Sequence, residues 1–402
     1  MPKPASQMTP EITVLAATGN LMVSEAYRQA EPDVVAAYPI TPQTAIVEGY
    51  SKYVADGRVH TEFVAVESEH SSLSACIGAS AAGARVATAT SSQGLALMWE
   101  ELHIASGMRL PIIMANANRA ISAPINIHGD HSDVMGARDS GWIIFFAETA
   151  QEAYDNTVIS FPIAEHPEVQ LPVMTTLDGF ITTHAMERCE LLDDATVKAF
   201  VGERTPAFPL IGGDKPVSHG MFASLGGTYF EVKKAERAAI DKTPPIIKRI
   251  GDEWAAICKR PFDFIDTYEC EDADYVLVVL GSAAGNARAV ARELRAQGVK
   301  AGVLRIRVYR PFPFEDVARA LKGARAVAIL DRADSFGAQY GPVGLDVRAA
   351  LYDLPERIPT RNYIYGLGGA DVPLDIMRNA FDELAQLAEG KLDEGLSYLG
   401  AR

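Results

Sequence analysis

The run His128-Gly-Asp-His131-Ser-Asp133 places two imidazoles and two carboxylates within six residues, side chains of the kinds that bind divalent metals. No HxxxH spacing or remote ligand accompanies it, so a polar loop bonding to itself and to the backbone is the competing reading. Gly281-Ser-Ala-Ala-Gly285-Asn286 follows an apolar run and opens a helical one, which is the setting of a dinucleotide fingerprint. The spacing is wrong, because GxGxxG needs glycine at the positions of Ala283 and Asn286; a tight turn is the better reading. Gly366-Leu-Gly-Gly369 is a second turn of this kind. Thr41, Glu69 and Arg119 fall at three separate strand-to-helix junctions, which a parallel sheet would bring to one rim. Each also has a structural reading: Thr41 as a helix cap, Glu69 as a first-turn carboxylate, Arg119 as a loop charge.

The elements that must position these residues alternate. After a polar tail, residues 20–29 read as a helix and 33–38 as a short buried strand. Thr41 followed by Pro42 predicts a helix start, since the hydroxyl accepts from an orphan amide and proline at the first position loses no needed donor. Strands are expected at 63–66, 85–90, 112–117 and 173–177, with helices at 68–82, 95–106 and 151–158, a turn at 91–94 and a polar loop over 118–133. Strands separated by helices of this length imply a mainly parallel sheet covered on both faces. From 201 to 265 the pattern gives way to a Pro- and Gly-punctuated stretch with helices at 232–240 and 245–258. Its Phe208, Phe222, Tyr229, Phe230 and Trp254 mark it as an extended connector wrapped on the surface. A new α/β unit opens with a strand at 275–280, then a helix at 286–297, strands at 301–308, 326–330 and 362–365, and a helix at 345–351. Two domains follow: 1–265, including the connector at about 201–265, and 266–402.

The 402 residues are enough for two or three domains, each with its own core. With 37 Lys plus Arg against 52 Asp plus Glu, the net charge of −15 argues against a nonspecific nucleic-acid or anionic-membrane partner. Cys76, Cys189, Cys258 and Cys270 are far apart and form no CxxC pair, so no iron-sulfur cluster or metal site is expected in this chain. Few cysteines and no signal peptide in the opening MPKPASQMTPEI point to the cytoplasm. No apolar run approaches the ~20 residues of a membrane span. No GDG followed about 25 residues later by Asn-Asn occurs, so the usual carboxylate and amide site for the magnesium diphosphate of thiamine is missing.

Read together, Tyr38-Pro-Ile-Thr-Pro42, Glu67-Ser-Glu-His70, Thr90-Ser-Ser-Gln-Gly94, Asn118-Arg-Ala120, His128-Gly-Asp-His-Ser-Asp133 and Leu177-Asp-Gly-Phe180 resemble the alpha subunit of the multi-subunit pyruvate:ferredoxin oxidoreductases. Gly226-Gly-Thr-Tyr-Phe230, Leu330-Asp-Arg332 and Gly366-Leu-Gly-Gly-Ala-Asp-Val372 extend the resemblance over nearly the whole chain. It implies a doubly wound, pyrimidine-type thiamine-diphosphate domain followed by a transketolase C-terminal-like α/β domain. It further implies a beta subunit carrying the diphosphate site with its magnesium and an iron-sulfur cluster, together with a gamma and a ferredoxin-like delta subunit. The activity implied is conversion of pyruvate, CoA and oxidised ferredoxin to acetyl-CoA, CO2 and reduced ferredoxin, or the reverse as pyruvate synthase.

By the same resemblance Glu69 matches the glutamate that bonds N1′ of the aminopyrimidine and favours the imino tautomer that removes the thiazolium C2 proton. Thr41 matches the threonine that contacts the bound 2-oxoacid, and Arg119 the arginine whose fork pairs with its carboxylate. His70 and Ser71 follow Ser68-Glu69 where single-chain relatives carry small residues, and His128 stands where they often have an aromatic one. Ser68-Glu69 and Ser91-Ser-Gln-Gly94 look like the pyruvate type, and Thr41 argues against oxalate. A branched-chain or aryl 2-oxoacid on the same framework stays open, as does a noncatalytic subunit whose glycine turns hold a nucleotide or CoA.

Overall fold

The computed structural model describes residues 10–213 and 215–401; residues 1–9 of the expected polar tail lie outside this range. A seven-stranded sheet runs, edge to edge, Val308–Arg310, Ile143–Ala147, Val173–Asp178, Ile112–Asn118, Val86–Thr90, Val34–Ala37 and Glu62–Ala65. All are parallel except the first, which lies antiparallel to Ile143–Ala147. Its central strands have every residue buried, which is what helices on both faces demand. A six-stranded sheet runs Gly395–Tyr398, Thr360–Ile364, Ala326–Asp331, Tyr275–Leu280, Ala301–Ile306 and Ile265–Tyr268, parallel but for the last. A two-stranded antiparallel ribbon pairs Ile12–Ala17 with Glu187–Leu192.

Helices start where caps allow. Thr18 accepts from the Leu21 amide ahead of Gly19–Ala30, Ser68 from Ser71 ahead of Glu69–Ala82, and Thr149 from Glu152 ahead of Ala150–Glu165. The Thr41-Pro42 start is corrected: residues 41–43 form a turn closed by the Gln43 amide on the Ile40 carbonyl, and the helix begins at Thr44. Thr41 is therefore a loop residue, and Gln43 caps without a side-chain bond. The single helix expected over 95–106 is two, Gln93–Leu97 and Trp99–Gly107, jointed at Met98. Ala150–Glu165 runs past the expected end and through Pro162, because twelve of its sixteen residues are packed in the core. The strand expected over 301–308 divides, and its second part, Val308–Arg310, crosses to the other sheet.

The connector keeps to the surface, but its aromatic residues split. Trp254 is buried in the helix Thr243–Cys258, whereas Phe208, Phe222, Tyr229 and Phe230 are 65% exposed or more. The extended part is tied down by the Leu210 amide on the Ala81 carbonyl and by Arg204 Nε on the Gly83 carbonyl. Among the described residues no helix is long and apolar enough to cross a membrane.

The two sheets share a core. Ile144, Phe146 and Met174 of the first pack in one cluster with Val276, Val278, Leu304 and Ile306 of the second. Charged groups flank it: Arg305 Nη1 and Nη2 donate to the two Glu152 oxygens at 2.7 and 2.8 Å, and Arg307 donates to Asn156 Oδ1 at 2.7 and 2.9 Å. Burial pushes the Glu152 carboxyl up, but the Arg307 and Arg305 guanidiniums overcome this and hold it at about 2, against 4.5 when free. A depressed carboxylate contributes stability above its unfolded value and loses it as pH falls through the folded one. Thermal melts across pH are therefore expected to show Glu152→Gln less stable than the parent at pH 7, the difference shrinking as pH falls from about 4.5 to 2.

Candidate functional site

Thr41, Glu69, the Ser91–Gln93 turn and Arg119 lie just beyond the carboxyl ends of four neighbouring parallel strands, Val34–Ala37, Glu62–Ala65, Val86–Thr90 and Ile112–Asn118. Glu69 opens its helix and is 8% exposed, yet among the described residues its carboxylate has no hydrogen-bond partner. The space around it is kept by Gly94: a methyl group there would meet Thr90 Oγ1 at 2.5 Å, Glu69 Cγ at 2.7 Å and Glu69 Oε1 at 2.8 Å. Two polar atoms of the adjoining segment, Thr90 Oγ1 and Gln93 Nε2, are buried without a partner. Buried polar atoms left open in this way call for a water or a polar ligand to complete them.

Arg119, 7% exposed, uses two of its five N–H groups: Nε donates to the Asn126 carbonyl at 3.0 Å and Nη1 to the Thr41 carbonyl at 2.9 Å. The rest of the fork is without a partner among the described residues. Burial pulls its pKa down, and Asp133 and Glu69 counter that through their charge. Thr41 is thus brought to Arg119 by its backbone, while its side chain is exposed at the rim.

The His128–Asp133 run is a polar segment bonded to the backbone around it, and the loop expected to 133 ends at His131, where the helix Ser132–Ala137 begins. Asp133, fully inside, accepts from the Ser92 amide, Asn116 Nδ2, Asn118 Nδ2, the Arg119 amide and the Val134 amide at 2.7–3.1 Å. Desolvation pushes its carboxyl up and these donors oppose the push. His131 Nε2 pairs with Asp178 Oδ1 at 2.6 Å. Asp178 Oδ2 also accepts from the Ser282 amide at 2.9 Å and Ser282 Oγ at 2.5 Å, and lies 3.3 Å from Arg332 Nη1. Burial would raise the Asp178 carboxyl, but His131 and Arg332 hold it well below the usual range. Asp130 accepts from Ser132 and from the Gly368 amide at 3.0 Å. The Gly281 and Gly366–Gly369 turns are thereby spent on joining the two sheets, Gly281 with φ +62 packed on the Asp178 carboxylate. His70, beside Glu69, faces away to Glu100 Oε1 at 2.9 Å and Glu101 Oε1 at 3.6 Å. His128 lies against Phe180, ring centroids 5.0 Å apart.

Sequence reasoning missed Gly94 and Gly179 as site residues. Gly179 carries its backbone against the Asn118 carbonyl and Pro42, where a side chain would collide. Both stand in the quoted strings, so the signal was a glycine next to a candidate residue, and close approach was the property to infer from it.

The Pyruvate flavodoxin/ferredoxin oxidoreductase, thiamine diphosphate-binding family model matches residues 25–252, and the Pyruvate:ferredoxin oxidoreductase core domain II model matches 273–376. The pyruvate synthase subunit PorA of Thermotoga maritima is 49% identical over 388 residues, covering 96% of this chain and 98% of that one. A solved 2-oxoglutarate:ferredoxin oxidoreductase from Magnetococcus marinus superposes with TM-score 0.70 at 18% identity; the match takes in 93% of this chain and 65% of that longer one. A split-gene transketolase in its inactive beta4 tetramer gives TM-score 0.57 at 13% identity, over 93% of this chain and all of that one. These two likenesses show the fold: two α/β units in tandem.

Asp133→Ala would leave several buried donors facing a void. Chemical denaturation is expected to show a loss on the order of 3 kcal/mol, with Asp133→Asn losing less because one acceptor oxygen remains.

Proposed function

As the chain belongs to the pyruvate flavodoxin/ferredoxin oxidoreductase family, we propose that it is the alpha subunit of a pyruvate:ferredoxin oxidoreductase, working reversibly as a pyruvate synthase. The reaction is oxidative decarboxylation of pyruvate with CoA and oxidised ferredoxin to acetyl-CoA, CO2 and reduced ferredoxin. One observation in the site supports this most: a buried Glu69 carboxylate without a donor of its own, on the same rim as an arginine with part of its fork open. The residues fit the pyrimidine half of thiamine diphosphate, since a ring nitrogen at Glu69 would satisfy the open carboxylate, whose place Gly94 keeps clear. When bound, that cofactor supplies the electron sink that lets a 2-oxoacid lose its carboxylate as CO2.

This chain's residues do the holding. With that cofactor bound, Glu69 would bond the aminopyrimidine N1′ and so set its tautomer. Arg119 presents its free N–H groups to the substrate carboxylate, with Asn126 and Thr41 fixing the plane of the fork. The Thr41 side chain, exposed beside it, contacts the 2-oxoacid. We place the domain division near 265, the first unit contributing these three residues.

The diphosphate and its magnesium belong to a beta subunit, which also brings an iron-sulfur cluster; gamma and ferredoxin-like delta subunits complete the electron path. Exposed apolar side chains around the rim, Tyr38, Leu97, Trp99, Ile125 and Ile127, support a partner chain that closes over it. The four buried free thiols are in keeping with a cytoplasmic enzyme.

The test is the purified complex assayed with pyruvate and with 2-oxoisovalerate, its thiamine and iron counted. A preference for pyruvate is expected, and a clear preference for 2-oxoisovalerate would overturn the substrate. Glu69→Gln is expected to cut turnover by about 10²-fold or more with subunits still assembled, and Arg119→Ala to raise KM for pyruvate chiefly. Near-native activity of Glu69→Gln would sink the cofactor role.

A further inference from the structure

We infer that Asn126 is a positioning residue through which the Gly366–Gly369 turn of the second α/β unit sets the aim of Arg119. The inference rests on the reading of Arg119 as the group that receives the substrate carboxylate. Between residues 122 and 128 every residue is exposed except Asn126, so the loop gains little from packing and depends on what that one side chain holds. Asn126 is pinned from both ends of its amide: Nδ2 donates to the Gly368 carbonyl at 2.9 Å, and Oδ1 accepts from the His128 amide at 2.7 Å. With the side chain fixed, the residue's own carbonyl is fixed too, and that carbonyl is the acceptor of Arg119 Nε.

The far end of the link is firm. The Gly368 amide donates to Asp130 Oδ2 at 3.0 Å and the Gly369 amide to the Gly129 carbonyl at 2.8 Å, so the turn is stitched to the same loop at three points. Gly368 sits at φ +59, and a methyl group there would run into Asn126 Nδ2. Both the backbone angle and the close approach call for glycine. Without the Asn126 side chain the carbonyl that receives Arg119 Nε is no longer held, the guanidinium is fixed only by its Nη1 bond to Thr41, and a bidentate grip on a carboxylate does not survive the rotation this allows.

The test uses the assembled complex with its partner subunits. Asn126→Ala is expected to raise KM for pyruvate about tenfold while kcat changes about twofold or less and KM for CoA stays put. Gly368→Ala, in the other sheet unit, is expected to give the same split, and the double variant to fall short of the combined effects. A purely structural role would instead lower the yield or melting temperature of the complex and leave KM for pyruvate unchanged, and that result overturns the proposal. Arg119→Lys separates the premises. If it raises KM for pyruvate while Asn126→Ala and Gly368→Ala do not, the link is wrong; if Arg119→Lys leaves KM unchanged, the reading of Arg119 itself fails.

Discussion

Parallel strands deliver their carboxyl ends side by side but leave the loops beyond them free to diverge, and Asp133 prevents that divergence. Its carboxylate gathers amides from the turn after one strand, side chains from the next strand, and the backbone of Arg119. Burying a charge is costly unless donors replace its water, and here five do. The arrangement also holds Ser92 at φ +51, a strained angle for a residue with a side chain, with Ser92 Oγ bonded to the Ala120 carbonyl at 2.6 Å. Glu69 depends on the same knot at one remove, since Gly94, which makes room for it, follows directly on that turn.

What could be read from the residues was whatever depended on local chemistry. Apolar runs such as 112–117 announced buried strands, and the helix expected over 68–82 placed Glu69 in a first turn, hence at a strand's carboxyl end. Thr41 looked like a cap because Thr-Pro favours one, but the Ile40 carbonyl closes a turn there first. The ribbon of Ile12–Ala17 with Glu187–Leu192 was invisible, since each strand is half exposed and its partner is remote in the chain. The purpose of the His128–Asp133 run was hidden for the same reason. Its acceptors serve amides of Ser92 and Gly368, and no spacing within six residues can disclose a partner so far away. Thr41, Glu69 and Arg119 were legible as a group because a parallel sheet fixes which ends of its strands meet; the role of Asn126 was not, because it arises only when the second sheet docks.

The contact between the two sheet units sets charged pairs around a shared apolar core. Within the chain, charged groups add to the apolar joint: Asp178 with Arg332, Glu152 with Arg305. Facing outward are unspent apolar side chains, Phe222 at 92% exposure and Phe336 at 90% among them. Directional pairs give the internal joint one geometry, which a site assembled from several strand ends needs. Apolar surface facing solvent is what obligate association consumes.

The crossing of Val308–Arg310 into the first sheet has a bearing on how the protein is made. Ile143–Ala147 is complete on one side as soon as Val173–Asp178 forms, but its other edge stays bare until residues 308–310 have left the ribosome. Throughout that interval a fully apolar strand, Ile-Ile-Phe-Phe-Ala, offers unpaired amides and carbonyls to whatever it meets. The antiparallel closing strand thus acts as a late seal, and synthesis, not only stability, ties the fate of the first half to the arrival of the second.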